Sequence, residues 1–161
     1  MTAKRYLFID AYNVIHATED LRRILNTDLD SACNRLTERV TAIHDAETIH
    51  TVLVFDSRNE SLEVDHPLGK KTFECVYAPA GLSADGVIEQ LVTRVAEPTH
   101  VTVASNDALV RESARASGAI AIGSKDLFDW IYACEQRLVQ DAQRRSKTNE
   151  KEWRNGFEFD W

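Results

Sequence analysis

The sequence predicts an α/β protein, a three-layer αβα sandwich with a mostly parallel central sheet of about five strands. Short apolar runs alternate along the chain with segments of helical periodicity, and such alternation is typical of βαβ units. The runs at 52–55 and 101–104 are almost continuously apolar, as expected of central strands covered on both faces. The chain of 161 residues is long enough for one domain with a full apolar core.

Five segments are predicted as strands because they are short and rich in apolar and β-branched residues. HTVLVFD is the clearest of them, and KTFECVYA is the most polar. In chain order the predicted strands are 5–10, 50–56, 71–78, 100–105 and 119–123.

Four segments carry apolar residues at helical spacing and are predicted as helices. In the first, the apolar face runs from Cys33 to Ile43. Ser83 is placed to cap the second helix, and Gly118 follows the third, where glycine commonly ends a helix. The predicted helices are 29–47, 83–97, 107–117 and 124–145.

The remaining segments are predicted as a loop at 57–70 and a C-terminal tail. We therefore divide the chain into a domain at residues 1–145 and a charged, then aromatic tail at residues 146–161. The tail either ends the chain as a mobile segment or docks its aromatic residues on the body or on a partner. Those aromatic residues are Trp153, Phe157, Phe159 and Trp161.

The charge of the chain limits its partners. A protein that holds nucleic acid by bulk electrostatics is usually basic, whereas this chain has a net charge of -7. Any nucleic acid must therefore be held locally, by a metal, a basic edge or a larger partner. An anionic membrane surface is disfavoured for the same reason, and no apolar run approaches the roughly 20 residues of a membrane span. The three widely spaced cysteines favour reduced thiols in a cytoplasmic protein.

Acidic residues follow four of the predicted strands. The first strand ends on Asp10 and the second on Asp56, and Asp107 lies two residues after the end of the fourth. Asp85 lies in the first turn of the helix that follows the third strand. Each acid alone could be a helix cap or a turn residue. Because the carboxyl ends of parallel strands share one edge of the sheet, where ligands bind, we expect the four carboxylates to lie together.

Such a group of acids favours a hard divalent cation. Clustered carboxylates repel one another, and burial raises their pKa values further. Carboxylates with Asn13 and Ser105 nearby suit Mg²⁺ or Mn²⁺ better than zinc, because these ions prefer oxygen ligands. Such an ion can activate water and neutralise charge on a phosphate that is being transferred.

Four motifs of this chain resemble a known family. FIDAYNVI, VLVFDS, SADGVIEQLV and VTVASNDALVRESARASGA, in this order, resemble the acidic motifs of the NYN domain. Within it they are most similar to the YacP-like branch of the PIN-like ribonuclease superfamily. The resemblance runs from about Tyr6 to the helix after Ser124. It implies a PIN-like fold and a Mg²⁺- or Mn²⁺-dependent endoribonuclease acting on RNA, and for some members on mRNA engaged with the ribosome.

The resemblance also implies roles for individual residues. Asp10, Asp85 and Asp107 would hold the metal, and Asn13 would orient the phosphate or a ligand. Asp56 would complete the metal shell or accept a proton from the attacking water. The last motif, which the family often writes as T-S-D or S-x-D, has asparagine in its central slot here. The candidate substrate-binding residues are Asn13, Ser105, Asn106, Arg58 and Lys71.

Two other functional classes remain as alternatives. One is a non-catalytic RNA-binding or interaction module with a PIN-like fold, although loss of the acids would mark such a module. The other is a receiver-type phospho-acceptor domain, which needs a strand between Asp10 and the strand carrying the acceptor, whereas residues 11–49 show only helical patterns. A haloacid-dehalogenase-like phosphatase would place an acid where Tyr12 stands, and a nucleotide binder would need a glycine-rich turn after the first strand.

Overall fold

A mostly parallel sheet of six strands organises the protein in a computed structural model. The structure describes residues 4–57 and 59–159, with side chains described up to residue 154. The sheet has the order β3-β4-β2-β1-β5-β6. Its strands are β1 (Tyr6–Asp10), β2 (His50–Asp56), β3 (Glu63–Asp65), β4 (Phe73–Ala78), β5 (Val101–Ala104) and β6 (Ile120–Ile122).

Helices of this part of the chain cover both faces of the sheet. They are α1 (Ala11–Ala17), α2 (Glu19–Thr27), α3 (Leu29–Glu47), α4 (Ala84–Arg94), α5 (Ala108–Ala116) and α6 (Ser124–Phe159), with a 3₁₀ turn at Pro98–His100. None of the described helices is both long enough and apolar enough to cross a membrane.

The five predicted strands all form, and they pair in parallel. The prediction of a loop across 57–70 is wrong at Glu63–Asp65, which pairs antiparallel with β4 as the sixth strand. All three residues of β3 are exposed, so the segment carries no alternation of buried and exposed residues from which a strand could be predicted. β3 forms an edge strand, while β1 lies between β2 and β5.

Alternate residues of the central strands point into two separate cores. Leu7 and Ile9 of β1 pack on one face of the sheet against α1, α2, α3 and α6. Phe8 points to the other face, where it packs against α4 and α5. This arrangement confirms the predicted αβα sandwich. Residues 11–49 form three helices and no strand, as predicted, and so exclude the strand order of a receiver domain.

Helix α6 extends past residue 145, the end predicted from the sequence, and continues to Phe159. The apolar face that docks it includes Leu127, Ile131 and Cys134, all fully buried. From residue 139 to residue 154 every side chain is exposed, which is why the apolar periodicity ended early. The charged segment nevertheless continues the helix, and a Glu150–Arg154 pair of 2.8 Å supports it. Of the four tail aromatics for which docking was one alternative, Trp153 is 67% exposed, and Phe157, Phe159 and Trp161 lie outside the described side chains.

The carboxylate of Glu47 fastens α6 to the end of α3. It accepts hydrogen bonds from Trp130 Nε1 and from Cys134 Sγ, both on α6. Arg5, just before β1, donates to the same carboxylate at 3.3 Å. Burial alone would raise the pKa of Glu47, but these three hydrogen bonds outweigh it and its pKa is lowered. The ionised carboxylate therefore links three parts of the chain.

Candidate active site at the carboxyl edge of the sheet

Asp10 ends the central strand β1 and lies almost fully buried, with 5% of its surface exposed. The register of β1 and β5 pairs Ile9 with Ala104, so the residues that follow, Asp10 and Ser105, lie side by side. Ser105 Oγ donates a hydrogen bond of 2.9 Å to Asp10 Oδ2. The buried carboxylate is thus oriented by a hydroxyl that has no exposed surface of its own.

Asn13, on the first turns of α1, is held by the loop that follows β5. Its Oδ1 accepts a hydrogen bond of 2.7 Å from the Asn106 backbone N–H, and Ser105 Oγ lies 3.3 Å from the same oxygen. This contact fixes the position of Asn13 beside Asp10, as the sequence predicted. The amide group of Asn13 is therefore part of the same edge.

The Asn106 side chain turns away from the carboxylates and clasps the start of α6. Its Oδ1 accepts from the Ser124 N–H at 2.8 Å, and its Nδ2 donates to Ser124 Oγ at 3.0 Å. A Cβ atom on Gly123 would lie only 2.9 Å from Asn106 Oδ1, so this clasp requires glycine at that position. The side-chain amide of Asn106, which the sequence predicts to bind substrate, is thus hydrogen-bonded to Ser124 instead. Neither Ser124 nor Gly123 was identified from the sequence.

Asp56, Asp85 and Asp107 reach this edge from the ends of strands and the starts of helices. Asp56 Oδ1 accepts from the Ala84 N–H at 2.8 Å, which ties β2 to the start of α4. Ser83 caps α4 by accepting from Gly86 N–H, and Asp85 stands exposed in the first turn. Asp107 caps α5, its Oδ1 accepting from Leu109 N–H at 2.8 Å. A capping role and a place in the acidic group are therefore compatible.

The four predicted acids are close enough for their charges to affect one another's pKa values. Burial raises the pKa of Asp10 to about 6, with contributions from the carboxylates of Asp85, Asp56 and Asp107, and against the hydrogen bond from Ser105. The pKa of Asp85 is raised as well, first by partial desolvation of its carboxyl group, although the residue is exposed at the surface, and then by the charges of Asp107 and Asp56. Such mutual effects require proximity. The structure thus brings together the acids that the sequence predicted to converge.

This arrangement fits a hydrated divalent cation. Within the described part of the chain, no group of three or more Asp, Glu, His or Cys side chains is arranged so that it could by itself hold a metal ion. Mg²⁺ needs no such cage, because it keeps several waters and binds only one or two carboxylates directly. All the donors at this edge are oxygens of the kind that hard cations prefer. A cation would also relieve the repulsion that raises the Asp10 pKa.

Of the two predicted basic contacts, the structure describes Lys71, which is not part of this group. Lys71 is exposed and lies two residues before β4, at the amino end of that strand. Because β4 runs parallel to β2 and β2 to β1, this is the edge of the sheet opposite to Asp10. Arg58 lies outside the described residues.

Comparisons with known proteins agree with this fold. The model of the YacP-like NYN domain matches residues 7–158. The crystal structure of the W164L mutant of Rae1 (YacP) from Bacillus subtilis is similar, with a TM-score of 0.72 and 20% identity, over 88% of this chain and 82% of that one. Unmutated Rae1 (YacP) gives a TM-score of 0.69 and 19% identity, over 90% and 83% of the two chains.

No curated protein matches the sequence significantly. At identities of 19–20%, the two crystal structures show the PIN-like fold, and the family model supplies the closer relationship. That model spans nearly the whole chain, including all four acids of the edge. The chain therefore belongs to the YacP-like NYN domain family, whose members are nucleases.

Proposed function

We propose that this protein is a Mg²⁺- or Mn²⁺-dependent endoribonuclease that hydrolyses phosphodiester bonds in RNA. The observation that carries the proposal is the electrostatic coupling of buried Asp10 to three further carboxylates at one edge of the sheet. Four acids in one place cost folding free energy unless they serve a cation or a reaction. Membership of a nuclease family supports the same class of reaction.

Asp10, Asp85 and Asp107 are the residues that would hold the ion, directly or through water. When bound, the ion would activate a water molecule and stabilise the charge that develops on the phosphate. Ser105 contributes by keeping the Asp10 carboxylate in one orientation. Asn13, whose oxygen is held by Asn106 N–H, is the residue that we assign to orienting the phosphate.

Asp56 is the residue that we assign to accepting the proton of the attacking water. It is exposed at the end of β2, and its Oδ1 accepts the Ala84 N–H. Oδ2 is therefore the atom that would take the proton, as a carboxylate does in general base catalysis. The expected products of hydrolysis carry 5′-phosphate and 3′-hydroxyl ends.

The charge of the chain bears on its target. A net charge of -7 gives no bulk attraction for RNA, so the strand must be held locally, by a metal, a basic edge or a larger partner. We therefore propose mRNA or ribosome-associated RNA as the substrate and the ribosome as the partner that supplies binding surface. A non-catalytic RNA-binding module is the second candidate, and the retained acids weigh against it.

Cleavage of a panel of labelled RNAs by the purified protein in Mn²⁺ tests the proposal. We expect cutting that stops with EDTA and in Asp10→Asn, and that persists in Asp141→Asn, a matched change on the exposed face of α6. The same panel is repeated with ribosomes engaged on mRNA. Products with 2′,3′-cyclic phosphate formed at a metal-independent rate would contradict the mechanism, and absence of cutting in both settings would contradict the function.

A further inference from the structure

A small cavity lies between α4 and α5 and opens beside the acidic edge. Its volume is about 250 Å³, and Asp85 lines it at the end that meets the carboxylates. Ile88 and Ala114, from the facing sides of the two helices, give it an apolar floor. The cavity is therefore continuous with the proposed active site.

Leu109 stands among the lining residues and belongs to the first turn of α5. It lies two residues after Asp107, and its side chain is 76% exposed. The Asp107 carboxylate accepts the backbone N–H of Leu109, which holds the first turn of α5, and so the Cα atom of Leu109, beside the cavity. A large, exposed apolar side chain at this position provides a surface on which a ligand can be buried.

The chemistry of the lining favours a neutral ring over a phosphate. Among the described residues that line the cavity none is basic, while two carboxylates, Asp85 and Glu89, are present. These acids repel phosphate but accept hydrogen bonds from N–H groups, such as those on the edges of nucleobases. The Ser113 hydroxyl can donate or accept. Pockets for drug-sized ligands measure roughly 300–1,000 Å³, so this smaller cavity suits a single ring system.

We propose that this cavity binds one nucleobase of the RNA strand, next to the phosphodiester bond that is cut. The inference rests on the proposed function and adds a specificity site to it. Leu109 and the apolar floor would contact the faces of the base, and Glu89 and Ser113 would contact its edge. A base with N–H donors toward Glu89 would be preferred, and its position would select the bond to be cut.

A titration with free nucleosides tests the cavity without requiring cleavage. Guanosine, adenosine, cytidine, uridine and, as a control, ribose are added to protein with labelled methyl groups, followed by nuclear magnetic resonance. We expect saturable shifts of the Leu109 and Ile88 methyls with at least one nucleoside and none with ribose. The shifts are expected to vanish in Ser113→Phe, which fills the cavity, and to persist in Ala116→Phe, an exposed position of α5 outside it.

Absence of shifts with every nucleoside would overturn the proposal, as would shifts that depend on protein concentration and so report a second copy in the cavity. Should Ser113→Phe fail to fold, Leu109→Ala at an exposed position serves the same purpose, and we expect it to weaken the shifts.

Cleavage assays then place the cavity in the reaction. We expect Ser113→Phe to raise KM about tenfold and to flatten base preference, since a base excluded from the cavity loses its burial against apolar side chains, and a tenfold effect needs only about 1.4 kcal/mol. Ala116→Phe is expected to match the wild type. An RNA made abasic beside the cut should lose the same factor with the wild type and little with Ser113→Phe.

The two assays separate failure of the inference from failure of the function. A wild type that binds nucleosides in the cavity but cuts no RNA would contradict the proposed function and leave the base site standing. A wild type that cuts RNA while Ser113→Phe keeps the same KM and base preference would overturn the base site alone.

Discussion

Ser105 joins Asp10 to Asp107 through its side-chain hydroxyl. The hydroxyl donates 2.9 Å to Asp10 Oδ2 and accepts, at 3.0 Å, the backbone N–H of Asp107. Two acids 97 positions apart in the sequence, at the ends of neighbouring strands, therefore share one fully buried oxygen atom. The position of the α5 cap and the orientation of the central carboxylate are set together.

Ser105→Ala should lower the free energy of unfolding by about 1–3 kcal/mol, because the Asp107 N–H loses its acceptor. It should also raise the pKa of Asp10 above about 6, since the lost hydrogen bond is the one that lowers it. Urea unfolding measures the first effect, and a carbon NMR titration of the Asp10 carboxyl measures the second. Ser57→Ala, whose hydroxyl accepts an exposed N–H, is the matched control. An unchanged Asp10 pKa would show that the hydrogen bond does not hold in solution.

Asp10→Asn should stabilise the metal-free protein near neutral pH. Burial raises the Asp10 pKa from 3.8 to about 6, so the folded state keeps its proton where the unfolded state has lost it. The wild type therefore loses stability as pH rises from about 4 to about 6, and the neutral variant does not. One pKa unit corresponds to about 1.4 kcal/mol, so we expect a gain of about 1–3 kcal/mol above pH 7.

Urea unfolding in EDTA at pH 4 and pH 8 measures this difference, with Asp141→Asn as the control at an exposed position. The variant and the wild type should be close at pH 4 and separate at pH 8. A variant that is less stable than the wild type at pH 8 would mean that burial and the neighbouring acids do not destabilise the ionised Asp10 carboxylate.

Gly123→Ala should disturb the clasp between Asn106 and Ser124. The added Cβ would lie 2.9 Å from Asn106 Oδ1, which must move and weaken two hydrogen bonds. We expect a loss of about 1–2 kcal/mol in the wild-type background. In Asn106→Ala the same change should cost little, because the clashing atom is gone. A double-mutant cycle by urea unfolding measures the coupling, and equal costs in both backgrounds would refute it.

Sequence patterns are sufficient to predict the five parallel strands of the sheet and the convergence of the acids. The apolar strands at 52–55 and 101–104 fixed the centre of the fold, and Asp10 and Asp56 follow directly from the ends of strands. Strand β3 was missed because all of its residues are exposed, so that its pairing with β4 leaves no mark on hydrophobicity. Helical periodicity can be recognised from residues close together in the sequence, whereas the pairing of an exposed strand with a distant segment cannot.

The side-chain directions at the site were less predictable than the positions. Asn106 lies in a motif that the sequence predicts to be catalytic, yet its amide binds Ser124, because glycine at position 123 leaves room for the Asn106 side chain. Lys71 precedes a strand and so lies at the edge of the sheet opposite to Asp10. The order of residues along the chain is enough to predict this position once the strands are taken to be parallel. The cavity beside Leu109 depends on how α4 and α5 pack, and no local pattern describes it.

Glu47→Gln should loosen α6 and remove part of the acid sensitivity of the fold. The ionised carboxylate accepts hydrogen bonds from Trp130, Cys134 and Arg5, and these lower its pKa against the effect of burial. Hydrogen bonds to a charged group contribute about 1.5–3 kcal/mol each, so we expect the variant to lose about 1–3 kcal/mol at pH 7. A lowered pKa gives stability above the ordinary value of 4.5 that is lost as pH falls below it.

The difference between wild type and Glu47→Gln should therefore shrink below about pH 4.5, as followed by urea unfolding across pH. Glu38→Gln, on the same helix and exposed, should show no such pH dependence. A constant difference down to pH 3 would mean that folding does not lower the pKa of Glu47.

Mn²⁺ should raise the melting temperature of the wild type and not that of Asp85→Asn. A ligand that binds only the folded state stabilises it by mass action, by about 2.7 kcal/mol at a concentration of 100 times its Kd. Asp85 is exposed in the first turn of α4, so its substitution should cost little folding free energy. It is also repelled by Asp107 and Asp56, and a bound cation would relieve that repulsion. Glu112→Gln, exposed on α5, is the matched control and should keep the full shift. Differential scanning fluorimetry with and without EDTA measures the shift, and an equal shift in Asp85→Asn would place the ion elsewhere on the protein.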